Sequence, residues 1–306
     1  MTKIDMLMNG MPDGVEQQRL PSWFKRPMPK GDTFAKTNQI VKAQGLATVC
    51  ESAMCPNLGE CWSKGTATFM IMGERCTRAC SFCAIDTRKP LRLENDEPMR
   101  VATAIQQMKL RHVVITSVAR DDLKDDGADH FAKVIIAAKK MNPGVTIEVL
   151  TPDFKAKTEC LDLIYDAAPH IFNHNVETIK RLSPEVRHIA TYDRTLMVLN
   201  YMASLKNPPI TKSGFMVGLG ETKEEIFELI TELSNHQVKM LTIGQYLRPS
   251  KKHRPISRFV HPDEFDEYRA FADTLNFKHV ASGPFVRSSY HADLSHDAMQ
   301  SMYTDK

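Results

Sequence analysis

The sequence predicts an α/β fold built on a parallel sheet. Three observations carry this expectation. Short apolar, β-prone runs alternate with amphipathic helical segments. The alternation begins near residue 66 and persists through most of a 306-residue chain. A cysteine-rich loop follows directly on the first of these runs. Strands alternating with helices imply crossover connections and parallel pairing. In such folds chemistry gathers beyond the carboxyl ends of the strands, where this loop would lie.

The length suits one large domain or two small ones, and an α/β barrel takes about 200–250 residues. Hydrophobic residues make up 42% and charged residues 25%, as in ordinary water-soluble proteins. A net charge of +3 is too small to imply nucleic acid. No apolar run approaches the ~18 residues of a membrane span. The opening stretch MTKIDMLMNGMPDGVEQQ lacks the apolar core of a signal peptide. The expectations are no nucleic-acid partner, no membrane and a cytoplasmic location.

Taken in order, residues 1–40 are polar, with prolines at 12, 21, 27 and 29, and read as an arm packed over another part of the molecule. The stretch 38–50 predicts a short helix leading into the first cysteines. Strands are predicted at 66–73, 112–118, 145–150, 170–176, 213–219 and 240–247, with 278–283 as a candidate seventh. Helices are predicted at 98–110, 128–141, 157–168, 193–206 and 223–236, where apolar residues recur three or four apart, as one buried helix face requires. Six strands make three-quarters of an eight-stranded barrel; an open doubly wound sheet is the alternative.

Six of the seven cysteines lie between positions 50 and 83. Cys160 stands apart and reads as a small buried hydrophobe. In a reducing compartment clustered cysteines point to metal or redox chemistry rather than disulfides. Cys76, Cys80 and Cys83 are spaced C-x3-C-x2-C; Cys50, Cys55 and Cys61 are spaced C-x4-C-x5-C. Structural zinc asks for four tetrahedral ligands, commonly as paired C-x2-C elements, and neither group has that shape. A 4Fe–4S cube has four irons, each with an outer ligand. Three thiolates from one loop leave one iron open to something other than the protein.

The C-x3-C-x2-C loop after a first strand, with Phe82 just before the third cysteine, resembles the radical S-adenosylmethionine (SAM) enzymes. There the open iron chelates SAM, and the cluster's electron cleaves it to a 5′-deoxyadenosyl radical. The C-x4-C-x5-C group just upstream makes the chain similar to lipoyl synthases. So do TSVARDDL (116–123), FNHNVET (172–178), GLGET (218–222), IGQYLRPSKKHRP (243–255) and GPFVRSSYHA (283–292). The likeness runs from about residue 20 to about 295. One departure is local: two adjacent glycines are expected near DDLKDDGADH, where this chain has Asp126-Gly127. Little consequence is expected.

The resemblance implies a partial (βα)6 TIM-type barrel of the radical SAM type. It would span 66–260, with an N-terminal extension (1–65) carrying the upstream cysteines and a C-terminal extension (261–306). It implies a sulfurtransferase that inserts sulfur at C6 and C8 of an octanoyl chain amide-linked to a carrier lysine. Two 4Fe–4S clusters are implied. Cys76, Cys80 and Cys83 would hold the one that works on SAM; Cys50, Cys55 and Cys61 would hold an auxiliary one consumed as sulfur donor. A cluster that must release sulfide is poorly served by four soft thiolates, and a serine oxygen is a harder ligand. The resemblance gives that place to Ser289, with Ser288 as the alternative. The implied carriers are octanoylated lipoyl domains of 2-oxoacid dehydrogenase complexes and the glycine-cleavage H protein. An electron donor such as flavodoxin or ferredoxin and a cluster-assembly carrier are also implied.

Further SAM-binding candidates follow from strand ends. Gly218 and Gly220 permit close backbone approach, and Glu221 either meets the SAM ammonium or ribose or is only an acid at a helix start. Asn173 and Asn175 share one face of a strand, where their amides would hold either the SAM ribose or the octanoyl amide, and His174 points away and packs. Gln245 and Arg248 cap the last strand; Arg248 contacts SAM or makes a structural ion pair. Arg248, Lys251, Lys252, Arg254 and Arg258 are either a solvated basic loop or a docking face for an acidic carrier domain. The competing functions are another sulfur-inserting enzyme resembling biotin synthase, a two-cluster electron-transfer protein, and a zinc-binding scaffold.

Overall fold

The computed structural model describes residues 20–24, 32–64 and 66–289. Seven strands run parallel and in chain order: β2 (Thr68–Ile71), β3 (His112–Ser117), β4 (Thr146–Leu150), β5 (Ile171–Asn173), β6 (Ile210–Val217), β7 (Met240–Gln245) and β8 (His279–Gly283). A two-residue strand, β1 (Ala47–Thr48), pairs antiparallel with β2. Among the described residues β8 does not return to β1 or β2. The barrel is therefore partial, as expected. It has six strands from β2 to β7, and the candidate seventh, β8, completes the sheet.

Both faces of the sheet are covered, so the strands read as continuous buried runs rather than alternating ones; every residue of β2 and of β7 is buried. The crossover helices are α4 (Glu97–Met108), α5 (Ala128–Met141), α6 (Thr158–Asp166), α8 (Tyr192–Ser204) and α9 (Lys223–Asn235), with a short α7 (Ser183–Val186) between. In α5 the buried Phe131, Val134, Ile135 and Ala138 recur at helical spacing. Thr222 and Glu225 close α9 with reciprocal side-chain caps. α10 (Pro262–Asp273), which hydrophobic periodicity did not reveal, buries only Phe265, Tyr268 and Ala272 in an otherwise polar segment.

Upstream of the barrel lie α1 (Asp32–Ala43), α2 (Val49–Ser52) and α3 (Leu58–Ser63). The predicted 38–50 helix is displaced: α1 begins six residues earlier, and β1 and α2 take its second half. Within the arm, Phe24 of the short Ser22–Phe24 turn meets Phe259 and Phe285 with ring centroids 5.4 and 5.2 Å apart. A buried ion group reaches from β3 to β6: Lys212 of β6 lies 2.8 Å and His112 of β3 3.2 Å from the Glu148 carboxylate of β4.

Candidate functional site

The C-x3-C-x2-C loop leaves β2 through two left-handed residues, Met72 (φ 66°) and Gly73 (φ 88°). The buried Glu97 carboxylate accepts the Met72 amide at 2.9 Å and meets His130 Nε2 at 2.6 Å. Gly127 must lack a side chain, since a Cβ there would overlap the Met72 sulfur. Its neighbour Asp126, where a second glycine was expected, is itself left-handed (φ 53°). Asp tolerates that conformation, and its carboxylate is bound by Lys155 and Lys157 at 2.5 and 2.8 Å.

Beyond that exit, segments following four different strands grip the loop. Cys76 Sγ accepts the amides of Arg78 and, after β3, of Ala119, at 3.4 and 3.3 Å. Arg78 donates two 2.8 Å bonds to Asp121 and one of 2.7 Å to the fully buried Asp153 after β4. Burial is the largest single influence on Asp153 and opposes its charge, but the hydrogen bond and charge of Arg78, with smaller help from His174 and the Lys155 amide, together outweigh it and bring the carboxyl down to about 2. Asp153 opens a turn whose next three residues, Phe154, Lys155 and Ala156, are all left-handed, a strained backbone of the kind found at working sites. Ser81 donates its amide to Val186 of α7 at 3.0 Å and accepts that of Arg254 at 2.9 Å. His253 Nε2 lies 2.9 Å from the Cys83 carbonyl. Motif reading missed Arg78, Asp121, Asp153 and His253, because none lies in a spacing pattern of its own.

Burial, and secondarily the carboxylate of Glu177, pushes the Cys80 thiol up to about 11; burial pushes Cys83 up to about 12, with Cys80 and Cys76 adding to it. In the upstream trio burial and the neighbouring cysteines raise Cys50 to about 11 and Cys61 to about 12. The members of each trio thus act on one another. Thr48 caps α2, which carries Cys50, by accepting the Glu51 amide. The amide of Cys55 meets the Cys50 carbonyl at 3.0 Å, and that of Cys61 meets the Asn57 carbonyl at 2.9 Å. Trp62, 1% exposed, packs against Cys50 in a small core separate from the barrel's.

All seven cysteines are free; their soft sulfur donors suit iron, and binding it would displace the thiol protons. Among the described residues no three Cys, His, Asp or Glu side chains converge on a single ion; thiolates serving separate irons of one cube stand too far apart to do so. Cys160 is buried beneath the barrel helices, as expected.

The other expected residues are distributed differently. Phe82 packs against the second half of the barrel core. Both oxygens of Glu221 accept backbone amides, those of Gly218 and Leu219. Glu221 thus braces its own turn rather than offering a carboxylate to a ligand. Gly218 is required because a Cβ would overlap Gln245 and the Arg258 carbonyl; Gly220 is left-handed too, with open space around it. Gln245, fully buried, has both amide ends spent on Tyr246, Arg258 and Val260. Asn173 is likewise buried and donates to Glu148 at 3.2 Å. Arg248 donates to the carbonyls of His253 and Lys251. Asn175 is half-buried at the mouth: its amide donates to Glu177 at 3.1 Å and to Ser288 at 2.7 Å. His174 packs as expected, 2.8 Å from the Thr151 carbonyl and 3.2 Å from the Thr195 hydroxyl. In the basic stretch Arg254 and Arg258 are paired with Glu185 and Glu264, which leaves Lys251 and Lys252 as its exposed lysines.

The C-terminal segment returns to the mouth. Asn57, between Cys55 and Cys61, donates to the Phe285 carbonyl at 2.7 Å. Val286 lies on Gly244 at the carboxyl end of β7, where any Cβ would overlap its carbonyl oxygen. Ser288 and Ser289 are both half-buried, and Tyr290 lies outside the described residues.

Comparison with known proteins agrees with this geometry. Residues 70–233 match the radical SAM superfamily, whose members work with a 4Fe–4S cluster and SAM. The lipoyl synthase of Protochlamydia amoebophila is 49% identical over 298 residues, covering 94% of this chain and 92% of its own. That of Rubrobacter xylanophilus is 51% identical over 272 residues, covering 89% and 85%. Among solved structures, SuiB of Streptococcus suis bound to S-adenosylmethionine has a TM-score of 0.56 at 12% identity; the match covers 74% of this chain and 55% of that one. Methylornithine synthase has a TM-score of 0.51 at 13% identity, covering 92% and 82%; at such identities these two speak for the fold alone. The chain belongs to the lipoyl synthase family of the radical SAM superfamily.

Proposed function

We propose that this chain is a sulfurtransferase that inserts two sulfur atoms, at C6 and C8, into an octanoyl chain carried on a lysine of a lipoyl domain. Two 4Fe–4S clusters would serve it. Cys76, Cys80 and Cys83 would hold the SAM-binding one; Cys50, Cys55, Cys61 and Ser289 would hold the other. Once bound, the first cluster and SAM supply a radical that takes hydrogen from an unactivated C–H bond, and the second cluster supplies sulfur.

The protein's own share is positional. The loop gripped by Arg78, Ser81 and His253 holds three half-buried thiols at the carboxyl edge of the sheet. The upstream trio has its own small core against Trp62, and the C-terminal segment spans the gap between the two. That pairing of two thiol trios across one barrel mouth carries the reading. A simple electron carrier has no use for a 2.7 Å tether from one trio's loop to a C-terminal segment that also touches the barrel mouth.

The proposed carriers are octanoylated domains of 2-oxoacid dehydrogenase complexes and the glycine-cleavage H protein. A flavodoxin or ferredoxin would supply electrons, and a cluster-assembly carrier would supply iron and sulfide. Anaerobic incubation of the reconstituted protein with an octanoyl-lysine peptide, SAM and dithionite, followed by mass spectrometry, tests the reaction. Two added sulfur atoms per peptide are expected, with 5′-deoxyadenosine formed. Cys55→Ala should lose sulfur insertion while still forming 5′-deoxyadenosine. Normal lipoyl product from that variant would refute the donor role of the upstream trio.

A further inference from the structure

The C-terminal segment is fastened at three points over four residues, 285–288, and each fastening has a different character. Asn57, 1% exposed and flanked by two of the upstream cysteines, holds the Phe285 carbonyl at 2.7 Å. Gly244 gives Val286 a seat that only glycine leaves open. Asn175 holds the Ser288 hydroxyl at 2.7 Å. Asn175 is in turn fixed from the SAM side of the mouth: its carbonyl accepts Arg187 Nη1 at 2.6 Å, and its amide also reaches Glu177. Arg187 is buried, and α7 just before it clamps Ser81 of the cysteine loop. The segment is therefore held by one asparagine from each thiol-bearing side of the molecule.

We propose that Asn57 and Asn175 are positioning residues for the fourth ligand of the upstream trio, and that Ser288 is a latch rather than a ligand. The hydroxyl of Ser288 is engaged by an amide on the SAM side. That of Ser289, the next residue, has no hydrogen-bond partner among the described residues. Fixing Phe285 and Ser288 sets where Ser289 can reach. A mobile serine would be an inefficient ligand, because each binding event would have to order the segment anew. This inference rests on the reading of Ser289 as ligand given above.

Hydrogen–deuterium exchange on the full-length chain before cluster loading tests the clamp without using activity. Asn57→Asp keeps shape while removing the donor to a carbonyl; Asn175→Ala removes the donor without offering the Ser288 hydroxyl a new acceptor; Ser288→Ala removes the acceptor. Each should speed amide exchange across 285–289 by tenfold or more. Asn175→Ala/Ser288→Ala should be no faster than either single variant, since both delete one bond. After reconstitution, Mössbauer spectra of these variants should show a smaller oxygen-ligated iron fraction than wild type.

Ser289→Ala should abolish that fraction while leaving exchange at the wild-type rate. Wild-type exchange in Ser288→Ala and Asn175→Ala would overturn the clamp even if Asn57→Asp fails to fold. Complete loss of the oxygen-ligated fraction in Ser288→Ala with unchanged exchange would make Ser288 the ligand and overturn the latch. An intact fraction and normal lipoyl product in Ser289→Ala would refute the ligand reading itself, independently of the exchange result.

Discussion

At single positions this chain shows how tightly backbone conformation and packing are coupled around the mouth. Gly218 is left-handed (φ 93°) and faces Gln245 and the Arg258 carbonyl with no room for a Cβ. Gly144 is equally left-handed (φ 85°) but has open space. Replacing each by Ala separates the two costs. Gly144→Ala should lose about 1–2 kcal/mol from backbone strain alone. Gly218→Ala should lose a further ~1–3 kcal/mol from overpacking. Urea titrations of both variants check the difference, and equal losses would refute the packing contribution. Asp126 makes the complementary point: a position expected to need glycine is filled by an acid because two lysines bind its carboxylate.

At the scale of loops and strands, charged groups fix the cysteine loop. Arg78→Ala would leave Asp153, 0% exposed, with the half-exposed Arg194 at 3.1 Å and the neutral Lys155 amide at 3.2 Å. Breaking a buried pair in this way costs about 3–5 kcal/mol, and Arg78→Lys should recover little of it, since an ammonium cannot bridge both carboxylates in the same planar geometry. Urea midpoints of the two variants measure this.

His174, behind β5, gives a pH signature. Burial, reinforced by the Arg187 charge, pushes its imidazole down to about 4. Thr151 offers it only a carbonyl, so Nδ1 carries the proton and Nε2 accepts from Thr195. A group depressed on folding contributes stability that is full above about 6.5 and lost as pH falls towards 4. Between pH 7.5 and 5.0 the loss should be about 2 kcal/mol. Unfolding measured at both pH values should show this loss shrink by that amount in His174→Asn.

The strands, five crossover helices and both cysteine trios were legible because each leaves a local pattern: apolar runs, helical periodicity, fixed spacing. α10 was not, since its three buried residues are lost among charges. Nor were the true partners of Glu221, Gln245 and Asn173, because a polar residue at a strand end reads the same whether it faces a ligand or braces a turn.

For the molecule as a whole, the charge expected of the 247–258 loop is largely internal. Arg254 and Arg258 are paired, and Lys251 and Lys252 remain to face a partner. If they steer an acidic carrier, Lys251→Glu/Lys252→Glu should raise KM for an octanoylated lipoyl domain by about tenfold at low salt, less at high salt. KM for an octanoyl-lysine peptide should stay put. Steady-state kinetics with both substrates decide, and equal effects on the two would refute the steering role.

Ser81 is fastened to Val186 and Arg254, and Cys83 to His253, residues more than a hundred positions further along the chain. Contacts so distant in sequence form late, because a long loop must close first. A nascent chain released before residue 254 would carry its three downstream thiols on a slack ribbon. Iron delivered then would find no rigid cradle, so acquisition of the SAM-side cofactor reports that both halves of the barrel have already come together.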